Sequence, residues 1–537
     1  MKKTYIDIIE KCLSAYDAER IESYIKSVES NGLTEHGFPR LGANIGILIA
    51  NGRCLEYKDL FCKITELCCK WFPLVTNECT NAGNDFSIRE VCWALKALDG
   101  KGIVDQSLIR KWRTQLASLN PYQCYCNAVK NANHRYSNWA MFAAVSDFVR
   151  CDFCGIDSID FVERQLSNQL LFIDKNGMYK DPHNPILYDL MTRLLFMTLI
   201  ILGYNGEHRE QIEHNLDKSS DLTLKMQSVT GEIAFGGRSS QFLYNETVMA
   251  SLCELYAVFY AKKNNFEKAG IFKAAAEAAT ENVQLNLGIE PISHIKNRYP
   301  IDSMIGCEDY GYFDKYMITA ASNAYIAYLL ADDTIDPIRR SQSYVASSSS
   351  DFHKVFIKNS DYFAEYDINA DFKYDANGLG RVHRKGCPSA ICLSVPFPTE
   401  NGYKTEGQNP RPMSICADNA ADKPYTLIQS HSDTECASVL FKNDICTEEC
   451  TVTNNGVYIV YSKKGFMLPV FDFDGSEHTD ILIMSEGIDV KYKGYVCKFR
   501  YNGILSDDFE YYYNRSGKYK VCKIDGNKLH IEICKHE

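Results

Sequence analysis

The chain has 537 residues, 45% of them apolar and 24% charged, with a formal net charge of −11. That length is too great for one ordinary core and predicts at least two domains with the balance of a soluble globular protein. The acidic surplus argues against a nucleic-acid or anionic-membrane partner, and any anionic substrate then requires a local basic cleft.

The first residues, MKKTYIDIIEKCLSAYDAER, begin basic but lack an apolar core of signal-peptide length. No later run is long and charge-free enough to span a membrane. The 22 cysteines follow no regular framework, so mostly free thiols in a reducing cytoplasm are expected. Cys124 and Cys126, ahead of Cys151 and Cys154, make zinc a minor alternative. Cys446 and Cys450 lie in strand-like sequence and make a weaker one.

Residues 1–342 read as helix after helix. YIDIIEKCLSAYDAERIESYIKSV, SIREVCWALKAL, NWAMFAAVSDFVRC, ILYDLMTRLLFMTLIILG, NETVMASLCELYAVFYAKK and YMITAASNAYIAYLLADD carry apolar residues at three-to-four spacing. Gly, Pro and Asn turns separate them, and no fixed-length repeat is visible. Antiparallel hairpins of uneven length predict an (α/α) toroid, complete or incomplete. RRSQSYVASSSSD then shifts the composition, and residues 343–352 are expected as a linker. From 353 to 537 short alternating runs such as HKVFIKN, YFAEYDI, SAICLSVPF, ASVLFKN and LHIEICK, with NNG, DGS and DGN turns, predict an antiparallel β-sandwich.

Four stretches are more polar than helix pairing requires. NANHRYSNWAMF crowds Asn133, His134, Asn138 and Trp139 at a helix start, where a capped entry with a half-buried Trp is the plainer explanation. NGMYKDPHNPILYDLMTR begins with an Asn176–Gly177 turn, places Asp181 and His183 in a loop, makes Asn184 an N-cap and Pro185 the first helical residue, and sets Tyr188 about one turn inside. A capped helix with a buried Tyr explains it equally well. GEIAFGGRSSQFLYNE offers Arg238 as a guanidinium fork after two glycines, with Tyr244 and Glu246 following; a loop Arg paired to a carboxylate is its simpler reading. It lacks the Lys-Ser or Lys-Thr of a phosphate loop. GLGRVHRKG makes a basic knot of Arg381, His383, Arg384 and Lys385, either a surface hairpin or a loop folding over the toroid as a second wall. CEDYGYFDKY, with Tyr310 and Tyr312, is a candidate lining for the same cleft, since Tyr and Trp stack on sugar faces.

Taken together, a helical toroid followed by a β-sandwich resembles polysaccharide lyases of the heparinase II/III and chondroitin AC/hyaluronate lyase types. NGMYKDPHNPILYDL is similar to their Asp-Gly-x-aromatic stretch leading to a catalytic His and Tyr, with Asn176 where the family carries Asp. GGRSSQ resembles the segment bearing their active-site Arg. NHRYSNW resembles the segment whose Asn binds the uronate carboxyl, and GRVHRKG sits where heparinase-type enzymes place a further His, although their His-Ala-Asp signature is absent. The resemblance implies β-elimination on a uronate-containing, glycosaminoglycan-like oligo- or polysaccharide that leaves a 4,5-unsaturated end. It implies Asn138 as carboxylate binder, with Asn133 and His134 as the alternative pair. It implies Tyr188 and His183 for base or acid work, in either order, Arg238 as a cationic partner and carboxylate binder, and His383 as a second proton-transfer group. Trp139, Tyr244, Glu246, Tyr310, Tyr312 and Arg381 would contact the sugar. No cofactor is implied, and no ligand set for a divalent metal in the β-domain is legible. Two rival classes stay open. A glycoside hydrolase requires two carboxylates, drawn from Glu246, Glu308, Asp309, Asp85 and Glu90, and a carbohydrate-binding protein would leave its ligand uncleaved.

Overall fold

The computed structural model describes residues 1–74, 82–125, 138–400, 402–473 and 477–536. The chain begins with helices that differ sharply in polarity. α3 (Gly37–Ala50) is buried along its whole length, and in α10 (Ile186–Ile201) only Tyr188 and Ile201 escape full burial. Helices that are apolar on all sides must be enclosed by others. Here α3, α5 (Asn84–Leu98), α8 (Asn138–Cys154), α10, α12 (Tyr244–Lys262) and α14 (Phe313–Leu330) each pack on the next, and α14 returns to α3. The toroid is therefore closed. Amphipathic helices cover the ring from outside: α1 (Lys2–Leu13), α2 (Ala18–Asn31), α4 (Lys58–Trp71), α6 (Gln106–Ala117), α9 (Ile159–Gln169), α11 (Arg209–Lys225) and α13 (Phe266–Leu287). A one-turn helix, α7 (Pro121–Cys124), completes the set. Gly42 allows the close approach of α3 to α4, since a Cβ there would lie 2.4 Å from Ile64 Cγ2. No helix among the described residues is long and apolar enough to cross a membrane.

Inner and outer helices alternate in direction, so the N-termini of the inner six gather at one end. Ring contacts trace this mouth: His36 lies 4.7 Å from Phe86, Phe86 lies 4.5 Å from Trp139, and Tyr244 lies 4.8 Å from Tyr316.

Sixteen strands follow among the described residues: β1 (Tyr344–Ser347), β2 (Lys354–Lys358), β3 (Tyr362–Asp367), β4 (Gly378–Arg384), β5 (Cys416–Ala417), β6 (Thr426–Ser432), β7 (Ala437–Lys442), β8 (Thr447–Thr453), β9 (Gly456–Tyr461), β10 (Phe466–Phe471), β11 (Asp480–Met484), β12 (Gly487–Tyr492), β13 (Tyr495–Tyr501), β14 (Ile504–Tyr513), β15 (Lys518–Asp525) and β16 (Lys528–Lys535). One sheet has the order β1-β2-β3-β4 and a second β14-β15-β10-β5. The third runs β11-β12-β13-β16-β9-β8-β7-β6. A bridge between Leu379 and Ile415 joins the first two at their β4 and β5 edges. The resulting layer packs on the eight-stranded sheet, with Tyr366 4.5 Å from Phe441 across the core. All strand pairings are antiparallel, as the alternating runs predict.

Three local expectations need correction. The Ser-rich stretch contributes a strand, β1 (Tyr344–Ser347), because its backbone pairs with β2 (Lys354–Lys358). The basic knot is not a loop: Gly378–Arg384 forms β4, paired with β3 (Tyr362–Asp367). SAICLSVPF, read as a strand, contains a 3-10 turn at Ser389–Ile391 and a single bridge from Phe397 to Met413, since the prolines at 388 and 396 cannot donate to a ladder.

The β-core buries a carboxyl with no countercharge within ion-pair distance among the described residues. Glu448 on β8 (Thr447–Thr453) is fully buried and accepts hydrogen bonds from Tyr366 Oη (2.6 Å) and Tyr425 Oη (3.2 Å). Burial pushes its carboxyl up to about 7. The folded chain thus holds a proton that the unfolded chain releases at lower pH, and stability is lost as pH rises from about 4.5 to 7. Glu448→Gln is expected to remove this loss, worth about 3 kcal/mol, and to raise Tm at pH 8 with little change at pH 4.5 in a thermal melt series.

Candidate functional site

The mouth of the ring is organised by two loops. In the first, Asp174 Oδ1 accepts from the backbone of Asn176 (2.7 Å) and Met178 (2.9 Å), closing the Asn-Gly turn. The chain then enters α10 through two consecutive left-handed residues, His183 (φ 67°) and Asn184 (φ 44°). Asn184 does not cap α10; its amide reaches across to the carbonyl of Asp351 at 3.0 Å, and Pro185 takes the N-cap position. In the second loop, Gly237 adopts φ 71°, and a Cβ there would lie 2.9 Å from Pro185 Cβ. This packs the Gly-Gly-Arg turn onto the start of α10. Ser239 (φ 61°) and Gln241 (φ 67°) extend the left-handed run. Such non-glycine conformations cost about 1–3 kcal/mol each and gather where geometry is over-determined.

These loops place Arg238 over Tyr188, with Cζ 4.5 Å from the ring centroid. The guanidinium donates to Asp181 and to the carbonyl of Pro182. Asp181 also accepts from Asn138 Nδ2 at 3.2 Å. Asn138, Asp181, Arg238 and Tyr188 thus form one connected group. Burial lifts the Asp181 carboxyl above its ordinary range even though Arg238 and Asn138 act against it, and Tyr188 and Asp181 hold the Arg238 guanidinium firmly charged despite partial burial. The Tyr188 hydroxyl lies 3.1 Å from Ser239 Oγ, which lies 3.3 Å from Tyr310 Oη. Tyr310 is exposed toward the mouth, whereas Tyr244 and Tyr316 are buried beneath it; desolvation raises all three phenols.

The second wall comes from segments of the β-domain other than the predicted one. Asp371 Oδ2 lies 3.0 Å from His183 Nδ1, and Tyr374 stands beside the same ring. His183 is half exposed and meets Tyr188 only through Pro182 and Arg238. Arg515 binds Glu308 (2.6 Å), whose Oε1 also accepts from the Ser239 backbone at 2.5 Å. Asp375 accepts from Gly237 N at 2.8 Å.

His383 lies elsewhere. It is fully buried in the contact between the domains, with Nδ1 2.8 Å from Ser228 Oγ and Nε2 3.0 Å from Ser394 Oγ. Ser394 donates its own proton to Ser389 O, so Nε2 must carry the imidazole proton and Nδ1 accepts. Desolvation, aided by Arg381 and Lys296, pushes the ring down to about 3 against the pull of Glu232. A neutral imidazole closed on both sides has no path to a substrate in the mouth. Arg381 is also buried, donating to Ile233 O (2.5 Å) and Ser394 O (2.9 Å). Glu246 is held with Glu232 by Lys296, each at 2.9 Å. Polar character drew attention to these residues, but in His383 and Arg381 it serves the contact between the two domains and in Glu246 a buried ion cluster within the helical domain. Trp139 is partly buried against Phe86, and Tyr312 is exposed at the start of α14. Asn133, His134 and Cys126 lie outside the described residues. Cys151 and Cys154 lie on α8, with Cys151 Sγ 2.9 Å from Ser158 Oγ.

Sequence analysis assigns no site role to Asp181, Ser239, Asp371, Tyr374 or Arg515. Asp181 stands in the same motif as His183, and its position two residues before a histidine in a loop was the available signal. The others enter only through tertiary contact.

No family model and no curated protein matches the chain. Similar solved structures include several polysaccharide lyases, and also a type II terpene cyclase and an endoglucanase, CelQ of Clostridium thermocellum. A heparinase III matches with 9% identity over 86% of this chain and 78% of its own, at a TM-score of 0.38. The heparan sulfate lyase HepC of Pedobacter heparinus matches with 10% identity over 89% and 76%, at 0.33. A second heparinase III matches with 10% identity over 99% and 91%, also at 0.33. A likeness this distant assigns neither residues nor a reaction.

The depressed His383 pKa carries a sign. The unfolded chain takes up a proton near pH 6.5 that the folded chain refuses until about pH 3, so stability falls as pH drops through that window. His383→Gln, which keeps a donor and an acceptor for Ser394 and Ser228, is expected to lessen the drop in Tm between pH 7 and 4. Parallel acid profiles would show that this histidine does not cause it.

Proposed function

We propose that the chain is a polysaccharide lyase that cleaves a uronate-containing, glycosaminoglycan-like glycan by β-elimination. The observation that carries this reading is the stacking of Arg238 on Tyr188 at the mouth, with Asp181 and Asn138 fixing the guanidinium. Elimination breaks the C5–H bond and then the C4–O bond of the uronate. The electron pair left at C5 spreads into the neighbouring carboxylate before forming the C4–C5 double bond, and a proton is delivered to the departing O4. The site must therefore offset negative charge at the carboxylate, accept one proton and donate another.

Arg238 supplies the fixed positive charge, aided by the inner-helix N-termini, which favour anions. Tyr188, as the phenolate after releasing its own proton to solvent, is the group placed to accept the C5 proton: its oxygen projects from the first turn of α10 and lies 3.1 Å from Ser239 Oγ. His183, oriented by Asp371 through Nδ1, presents Nε2 as the donor to O4. Asn138 keeps one amide hydrogen after donating to Asp181 and can reach the uronate carboxyl with it.

The hydrolase reading fares worse because three of its candidate carboxylates are already engaged. Glu246 is tied to Lys296, Glu90 to Arg40 (3.1 Å) and Glu308 to Arg515. Asp309 is exposed, outside the connected group. A hydrolase requires a free pair across the scissile bond.

Incubation with uronate polymers and oligomers is expected to generate an ultraviolet-absorbing unsaturated uronate in step with new reducing ends. Reducing ends without that absorbance would overturn the reading in favour of hydrolysis. Tyr188→Phe is expected to lower turnover by about 10²–10⁴-fold with Tm unchanged, and Arg238→Ala by about 10²–10³-fold. Full activity in Tyr188→Phe would remove this phenol from the mechanism.

A further inference from the structure

A cavity of about 1240 Å³ lies outside the ring, between the outward face of α13 and the β-domain. None of the residues grouped at the mouth lines it. Nine Lys and Arg side chains border it against five Asp and Glu, a local cationic excess on a chain whose net charge is −11. Most of these cations are answered: Lys268 by Asp221 at 2.9 Å, Arg339 by Glu277 at 2.6 Å, and Arg298 and Lys493 by Glu477. Lys225, Lys358 and Lys385 have no carboxylate within ion-pair distance among the described residues.

These three stand together. Lys358 ends β2 and donates to Gln227 O at 3.0 Å. It lies 6.0 Å from the ring of Tyr344, whose hydroxyl donates to Lys225 O at 2.9 Å. Burial and the nearby Lys385 push the Lys358 amine down to about 8. A concentration of like charge on a groove wall, left without countercharge by the protein, is suited to an anionic ligand. A lone inorganic anion would fill little of the groove, which exceeds the roughly 300–1,000 Å³ of common small-molecule sites. Tyr344, Tyr492 and Tyr495 add aromatic surface to the same lining.

We propose that this groove is a second binding site for an anionic oligosaccharide, with Lys358 and Lys385 engaging its carboxylate or sulfate groups beside the ring of Tyr344. The ligand class rests on the lyase reading, but the site's location and charge do not. A product or a distant part of a long substrate would be held there while the mouth acts on another sugar.

The test is calorimetric titration of the full chain with a sulfated hexuronate–hexosamine tetrasaccharide, in an Arg238→Ala background that weakens the mouth. One equivalent is expected to bind, and Lys358→Gln with Lys385→Gln is expected to weaken it at least tenfold. Lys385 is exposed, so Lys385→Gln alone, expected to weaken binding severalfold, serves if the double variant unfolds. In the otherwise native chain, these substitutions are expected to leave turnover of short substrates unchanged. No binding to the Arg238→Ala chain, affinity indifferent to the lysines, or equal affinity for an acidic peptide of the same charge would overturn the proposal. Absence of turnover with lysine-dependent binding intact would instead overturn the lyase reading alone.

Discussion

Closure of the inner ring is the constraint on which the rest depends. Six helices with hardly a polar side cannot face water, and they enclose one another by packing in a circle. Because an outer helix running back separates each from the next along the chain, all six begin at the same end. The mouth is therefore a consequence of burial, and its partial positive charge is a consequence of the mouth. Polar side chains inside the ring must pair with one another. Arg40 meets Glu90 at 3.1 Å, Asn44 meets Ser322 at 3.0 Å, and Arg193 meets Asp189 at 2.6 Å.

The β-domain is held over this mouth by apolar contacts, with Phe352, Phe356 and Phe363 sharing the core of the helices, and by buried polar links. Arg515 crosses to Glu308, Asp375 crosses to the backbone of Gly237, and Arg381 crosses to Ile233. Lys354 binds Asp367 at 2.6 Å and lies 3.7 Å from the ring centroid of Phe235. Buried ion pairs add little net stability compared with a well-packed apolar contact, but they penalise every other alignment of the same surfaces. Here that alignment sets the loop carrying Arg238 and Ser239, and hence the geometry around Tyr188.

The same physics explains which of the candidate residues lie at the mouth and which lie elsewhere. Asn138, Tyr188 and Arg238 stand at helix starts or after paired glycines, positions whose local structure can be inferred from neighbours along the chain. Each lies at the mouth in the structure. His383, Arg381 and Glu246 have the same polar look, yet each is buried with its hydrogen bonds taken inside the protein. Polarity in a sequence signals that a partner is required, not whether the partner is substrate or protein. Asn184 shows the limit at shorter range, since a contact to Asp351, 167 residues away, draws it from the capping position.

The sequence by itself determined the helical half, the antiparallel β half and their order, because three-to-four and two-residue apolar periods report local geometry directly. It also determined that the chain is acidic enough to require a special arrangement for any anionic sugar. Only the tertiary structure decided that the ring closes, that Asp371 and Arg515 rather than His383 form the second wall, and that unanswered lysines gather in a groove outside it. Those outcomes depend on contacts between residues far apart in the chain, and no local period carries that information.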